Sequence, residues 1–165
     1  MPQKSNPKGF TLIELLVVIA VIGLLSTFAI ITLNSLRVKA RNATRIAAVV
    51  QLAKAFGLAS DAAGGVLPEN ESGACVAAEC YGWWSGYGTD STVDAFIAPY
   101  IKKPADPRDS GRPFGGYYYI TESGQGRIGY ALETVEITDS VCGPGFWLGN
   151  DPALGYILCR IALSF

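Results

Sequence analysis

Histidine is absent from all 165 residues, which removes Ser-His and Cys-His nucleophilic pairs and the usual His-containing zinc sites together. Charge is scarce as well: Asp, Glu, Lys and Arg make up 16% of the chain, against roughly 25% in an average globular protein. Thirteen basic and fourteen acidic residues leave a formal net charge of −1 with no basic block, so no nucleic-acid partner is expected. The four cysteines, Cys75, Cys80, Cys142 and Cys159, contain no Cys-x-x-Cys spacing, which argues against a structural zinc site or a thioredoxin-like motif. Asp90, Asp94, Asp106, Asp109, Asp139 and Asp151 match no calcium-loop pattern and read as solvated loop carboxylates. No metal, no cofactor and no enzymatic activity are expected.

Ionisable side chains are also missing from Leu15 to Leu36. That run is long enough to cross the hydrocarbon layer as a helix, which takes roughly 20 residues. It reads as a membrane helix with one anomaly at its front. A carboxylate inside an apolar span costs about 2.5 to 3.5 kcal/mol at mid-membrane and less near an end, and Glu14 stands there. Something has to compensate for it.

Lys8-Gly9-Phe10-Thr11-Leu12-Ile13-Glu14 closely resembles the processing and methylation signal of type IV pilins (fimbrial subunits) and of the pseudopilins of type II secretion systems. The resemblance implies cleavage of a short basic leader after Gly9, N-methylation of the new N-terminal Phe10, and an assembly role for Glu14. A prepilin peptidase and methyltransferase would then be partners, together with identical or related subunits in a filament. In such a filament, pairing of Glu14 with the Phe10 amine of an adjacent subunit would set the stagger between them.

The expected organisation is a leader over 1–9, a transmembrane helix over 10–33, an amphipathic continuation over 34–60 and an extracytoplasmic globular head over 61–165. An ordinary secretory signal would have a shorter apolar core and a small-x-small cleavage site. Counting charges points the other way for orientation, since Arg37, Lys39, Arg41 and Arg45 follow the span while Lys4 and Lys8 precede it. The motif, which needs the leader on the cytoplasmic side, is given precedence. The chain is thus expected as a single-pass inner (cytoplasmic) membrane protein before assembly, and as part of a cell-surface or periplasmic filament afterwards. Gly23 lies mid-span as a packing notch or as a tolerated glycine.

Beyond the span no proline interrupts Asn34 to Ala59. Ile46, Val49, Val50, Ala53 and Phe56 recur at three- and four-residue spacing and mark an apolar stripe. Arg37, Arg41 and Arg45 stack on what reads as the polar side, either solvated or bridged to acidic groups on neighbouring subunits. The helix is expected to stop near Asp61-Ala62-Ala63-Gly64-Gly65.

The remainder reads as an oxidised head, because an even cysteine count beyond a membrane anchor points to disulfides. Four cysteines allow three pairings; the one that closes local loops joins Cys75 to Cys80 and Cys142 to Cys159. The aromatic stretch Tyr81 to Tyr87 reads as a cover for the core against the long helix, or as an exposed contact patch. A short helix capped by Asp90 or Ser91 presents Val93, Phe96, Ile97, Tyr100 and Ile101, with Pro99 placed to kink it or end it early. Gly116–Thr121 and Arg127–Thr134 read as a hairpin turning through Ser123–Gly126, with Ile128, Tyr130 and Leu132 inward. Tyr156–Leu163 reads as a third strand. The fold class is α+β, a pilin-like long helix packed against a small antiparallel sheet.

The function expected is that of a structural pilus or pseudopilus subunit. The alternative is a membrane-anchored extracytoplasmic binding module that never polymerises.

Overall fold

The computed structural model describes residues 9–107, 114–133, 142–151 and 155–164, with the side chains at 28–32, 83, 146, 147, 150 and 151 outside that description. The leader lysines, Asp109, Thr134, Asp139 and the Asp151 side chain therefore lie outside it. The fold is α+β: a long helix α1 (Leu12–Ala62), a short helix α2 (Ser91–Ile97), and strands β1 (Ala74–Cys75), β2 (Tyr81–Gly82), β3 (Phe114–Gly115), β4 (Tyr118–Glu122), β5 (Gln125–Glu133), β6 (Phe146–Asp151) and β7 (Tyr156–Ala162). The chain divides into two units, Met1–Arg37 and Val38–Phe165, and α1 contributes residues to both.

In the first unit every described side chain from Phe10 to Thr27 is exposed. Leu12, Ile13, Leu16, Ile19, Ile22 and Leu25 are among the large apolar groups left uncovered. The Ser26 hydroxyl donates to the Ile22 carbonyl and the Thr27 hydroxyl to the Leu24 carbonyl, each at 2.7 Å. Both hydroxyls are thus satisfied within the helix. A Cβ at Gly23 would meet nothing within 4 Å, so packing within the chain does not call for glycine there. Counted over the described residues, no helix is long and apolar enough to cross a membrane. The expected span runs through positions 28–32, which fall outside that count.

In the second unit α1 buries Val49, Leu52, Phe56 and Ala59, with Ala48 and Ala55 alongside. Ile46 and Ala53, expected in the stripe, pack at its edge. The helix stops where Gly64 and Gly65 take positive φ, at 76° and 85°. The Gly65 N–H reaches the Ser60 carbonyl at 2.8 Å and the Gly64 N–H reaches Asp61 at 3.3 Å, a Schellman ending that only glycine enters without strain.

The sheet has five strands in the order β1-β4-β5-β7-β6, and β2 pairs separately with β3. Three strands were expected. The additions are β1, too short to show a period, and β6, whose register slips between Trp147 and Gly149 and so breaks the alternation that marks a strand. The β4–β5 turn is also tighter than expected: Gln125 and Gly126 already pair with Glu122 and Thr121. That leaves Ser123 and Gly124 as a two-residue loop with φ of 53° and 75°, the arrangement whose twist matches the flanking strands.

One sheet face sends Tyr119, Ile128, Tyr130, Leu132, Ile157 and Cys159 into the core shared with α1. Phe56 stacks on Tyr119 with centroids 4.6 Å apart. The opposite face carries a second cluster of Trp84, Phe114, Tyr118, Ala131 and Tyr156, with Trp84 5.0 Å from Phe114 and 5.1 Å from Tyr118. The aromatic stretch therefore covers the sheet on the side away from α1, which corrects the expectation that it packs against the helix. The cause is the strand period of two, which sends Tyr118 and Tyr119 to opposite faces.

α2 is capped by Asp90, whose carboxylate accepts from the Thr92 and Val93 N–H groups. Those two bonds and one from Asn70, led by the Val93 N–H, hold Asp90 below the usual carboxylate range. Val93 and Ile97 are buried, and the helix ends at Ile97, two residues before Pro99. Tyr100, expected on the helix face, lies beyond the helix and is exposed.

Candidate functional site

The chemistry expected at the chain's front depends on Gly9, Phe10 and Glu14. Gly9 and Phe10 precede the helix and are exposed, and a Cβ at Gly9 would meet nothing within 4 Å. A backbone this open is accessible to a cleaving enzyme. Thr11 is the residue before α1, and its hydroxyl accepts from the Glu14 N–H at 3.3 Å. The Glu14 carboxylate accepts in return from the Thr11 N–H at 2.8 Å and from its hydroxyl at 2.7 Å. This reciprocal pair is a capping box, and it satisfies donors that the first turn of a helix leaves open. Thr11-Leu12-Ile13-Glu14 carries the sequence pattern for that box, and its significance lies in giving Glu14 a partner within its own chain.

In the second unit the charged residues gather at a point that periodicity assigned to solvent. Arg45 stands four residues before Val49 and so lies on the buried stripe; the residue is fully buried. Its guanidinium lies 2.8 Å from Asp106 and 2.5 Å from Glu133, and donates to the Pro107 carbonyl at 2.6 Å and the Asn42 side chain at 3.0 Å. Arg41 Nε donates to both oxygens of Glu133 at 3.0 and 3.1 Å. Asn42 brackets the Glu133 backbone, donating to its carbonyl at 2.6 Å and accepting from its N–H at 3.0 Å. Asp106 also accepts from the Gly116 N–H at 2.8 Å.

The placement of Arg41 and Arg45 corrects two readings. Both arginines pair with Glu133 of their own chain, Arg45 fully buried and Arg41 partly exposed, whereas Arg37 is exposed. Asp106 is a buried structural anion and not a solvated loop carboxylate. Burial pushes the Glu133 carboxyl up, and Arg41 and Arg45 outweigh it to hold the group at about 2. The remaining aspartates are dispersed: Asp90 caps α2 and Asp94 pairs with Lys103 at 2.5 Å. Among the described residues no group of three metal-ligating side chains comes together.

Cys75 is bonded to Cys80 and Cys142 to Cys159. The second bond lies in the core, where the Tyr130 hydroxyl donates to the Cys142 carbonyl. Burial raises that tyrosine to about 12. Trp84, a candidate for an exposed contact patch, is buried, and Tyr81 and Tyr87 are half-buried.

Residues 4–30 match the family model of the prokaryotic N-terminal methylation motif. This chain resembles the type IV pilins. A fimbrial protein of Dichelobacter nodosus is 36% identical over 99 residues, covering 54% of this chain and 62% of the relative. A second fimbrial protein of that organism is 35% identical over 97 residues, covering 53% and 61%. The chain thus spans about three-fifths of the length of the curated relatives it matches. No solved structure matches it.

Proposed function

We propose that the chain is a structural subunit of a type IV pilus or related pseudopilus, cleaved after Gly9, methylated on the Phe10 amine and polymerised through its N-terminal helix. Its work is mechanical and not catalytic. The observation that carries this reading is the methylation motif at the head of an uncovered apolar helix. A continuous apolar surface of that kind requires lipid or other helices around it. In the precursor, residues 10–33 occupy the inner membrane. In the filament they pack on the same segment of neighbouring subunits, and the Phe10 amine of one chain lies near the Glu14 carboxylate of another. The attraction is strongest at low dielectric, though it must offset desolvation of both groups. The assembled subunit is a component of a cell-surface or periplasmic filament.

A second reading, a membrane-anchored binding module that never polymerises, gains support from the Thr11–Glu14 capping box, because it provides a use for Glu14 in a solitary chain. Two variants separate the two uses of Glu14, and sheared surface filaments in the wild type separate the readings themselves. Glu14→Gln keeps an acceptor for the Thr11 N–H and removes the charge, whereas Glu14→Val removes both. A filament subunit that needs the charge loses sheared surface filaments in both variants while membrane levels hold. Normal filament yield from Glu14→Gln, with loss only in Glu14→Val, would leave capping as the residue's role and remove the charge pairing from the account.

A further inference from the structure

Residues 80–88 carry the aromatic cover of the sheet face that points away from α1, and both ends of this loop converge on one residue. At the entry, Cys80 is bonded to the Cys75 sulfur; at the exit, the Gly88 carbonyl accepts from the Cys75 N–H at 2.9 Å. Between the two ends Trp84 packs on Phe114 and Tyr118, and Tyr87 stacks on Tyr118 with centroids 4.5 Å apart. The loop thereby keeps Trp84, Phe114, Tyr118, Ala131 and Tyr156 buried. The ladder that follows Cys80 is short, two residues of β2 on two of β3.

Cys75 belongs to the body of the sheet. It pairs with Tyr118 of β4, its carbonyl accepts from the Lys103 ammonium at 2.7 Å, and the residue is buried. Cys80 is half-buried, and Ala78 and Glu79 just before it are exposed. The second disulfide is placed differently, because Cys142 and Cys159 are each 1% exposed and lie inside the core shared with α1. Thiol–disulfide exchange requires an attacking thiolate to reach a sulfur, so the two bonds are unequally open to a reductant from solvent.

We infer that Cys75–Cys80 is a redox latch on the 80–88 loop, opened by a dithiol reductant while Cys142–Cys159 stays closed. A thiolate of the reductant attacks the Cys80 sulfur, forms a mixed disulfide with it and releases Cys75 as a thiolate. The reductant's second thiol then displaces Cys80 and closes the reductant's own disulfide, so two electrons and two protons pass to the cysteine pair. Cys75 stays on β4 with Lys103, whereas the entry of the loop loses the bond that tied it to Cys75. A disulfide restricts the open states available to the chain it closes. Without it the loop opens more often, and Trp84 lifts from Phe114 and Tyr118. The oxidised head conceals this apolar surface and the reduced head presents it, as a place for association with other apolar groups.

The test is graded reduction of the full chain in detergent micelles with dithiothreitol, followed by alkylation with iodoacetamide, removal of the reductant and peptide mass spectrometry. Cys75 and Cys80 are expected to be alkylated at dithiothreitol concentrations about tenfold or more below those that open Cys142–Cys159. Chymotrypsin should then cut within residues 81–87 about tenfold or more faster than in the oxidised chain, since cleavage follows the population of the open form. The double variant Cys75→Ser, Cys80→Ser should show the faster cleavage without reductant, and the reduction of the unsubstituted chain keeps the test valid if that variant does not fold. Opening of both disulfides at the same concentration, or opening of Cys75–Cys80 with cleavage of the loop unchanged, would overturn the inference.

Discussion

Arg45 on α1 and Glu133 at the end of β5 form an ion pair of 2.5 Å, with side chains 1% and 6% exposed. Two charges removed from water this completely are tolerated only when every remaining donor and acceptor finds a partner. Arg41, Asn42, Asp106 and the Pro107 carbonyl provide those partners. One polar centre thereby fastens three separated parts of the chain: α1, the Asp106-Pro107 segment, and the end of β5.

Replacing Arg45 with Met should destabilise the folded unit by about 3 to 5 kcal/mol, the usual result of leaving a buried charge without its partner. Chemical unfolding of the full chain in detergent, followed by near-UV circular dichroism, measures this. Arg37→Met, at an exposed position, should leave the midpoint unchanged. Equal midpoints for the two variants would mean that the buried network contributes nothing.

The same network sets an acid limit on stability. Glu133 is depressed from 4.5 to about 2, so its contribution is complete above the unfolded value and is lost as pH falls through the folded one. Between about pH 4.5 and about 2 the unfolding free energy should drop by about 3 kcal/mol on this account. Glu133→Gln should flatten that part of the pH profile. An unchanged slope in Glu133→Gln would place the acid sensitivity elsewhere.

The two disulfides should differ in weight. In the chain-entropy view, closing the longer loop between Cys142 and Cys159 is worth roughly 3 kcal/mol and closing Cys75–Cys80 roughly 2, given separations of 17 and 5 residues. Paired Cys→Ala variants compared by thermal unfolding should preserve that order, and the reverse order would show that native packing and not chain entropy decides it.

The sequence was most legible where a period or a special backbone angle governs. The Gly64-Gly65 stop, the Asp90 cap and the inward alternation of Ile128, Tyr130 and Leu132 all follow from local rules, and the structure contains each of them. A charged residue ordinarily marks the polar side of a helix, and Arg45 departs from that rule. Its position four residues before Val49 was the stronger signal, and only partners distant in sequence, Asp106 and Glu133, make its burial possible. The aromatic stretch was read as a cover, and only the sheet's other face determines what it covers. Thr11-Leu12-Ile13-Glu14 carries the Thr-x-x-Glu capping pattern, a local signal independent of Glu14 being a charge in an apolar run, and the structure forms the cap.

The central claim, that this chain is processed and methylated as a filament subunit, is tested most directly by intact-mass and N-terminal peptide mass spectrometry of the protein recovered from cells with an active prepilin peptidase. The expected result is a mature chain beginning with N-methyl-Phe10, accumulating as uncut precursor when Gly9 is replaced by Val. A chain that keeps Met1–Gly9 in those cells, or is cut at another bond, would contradict it.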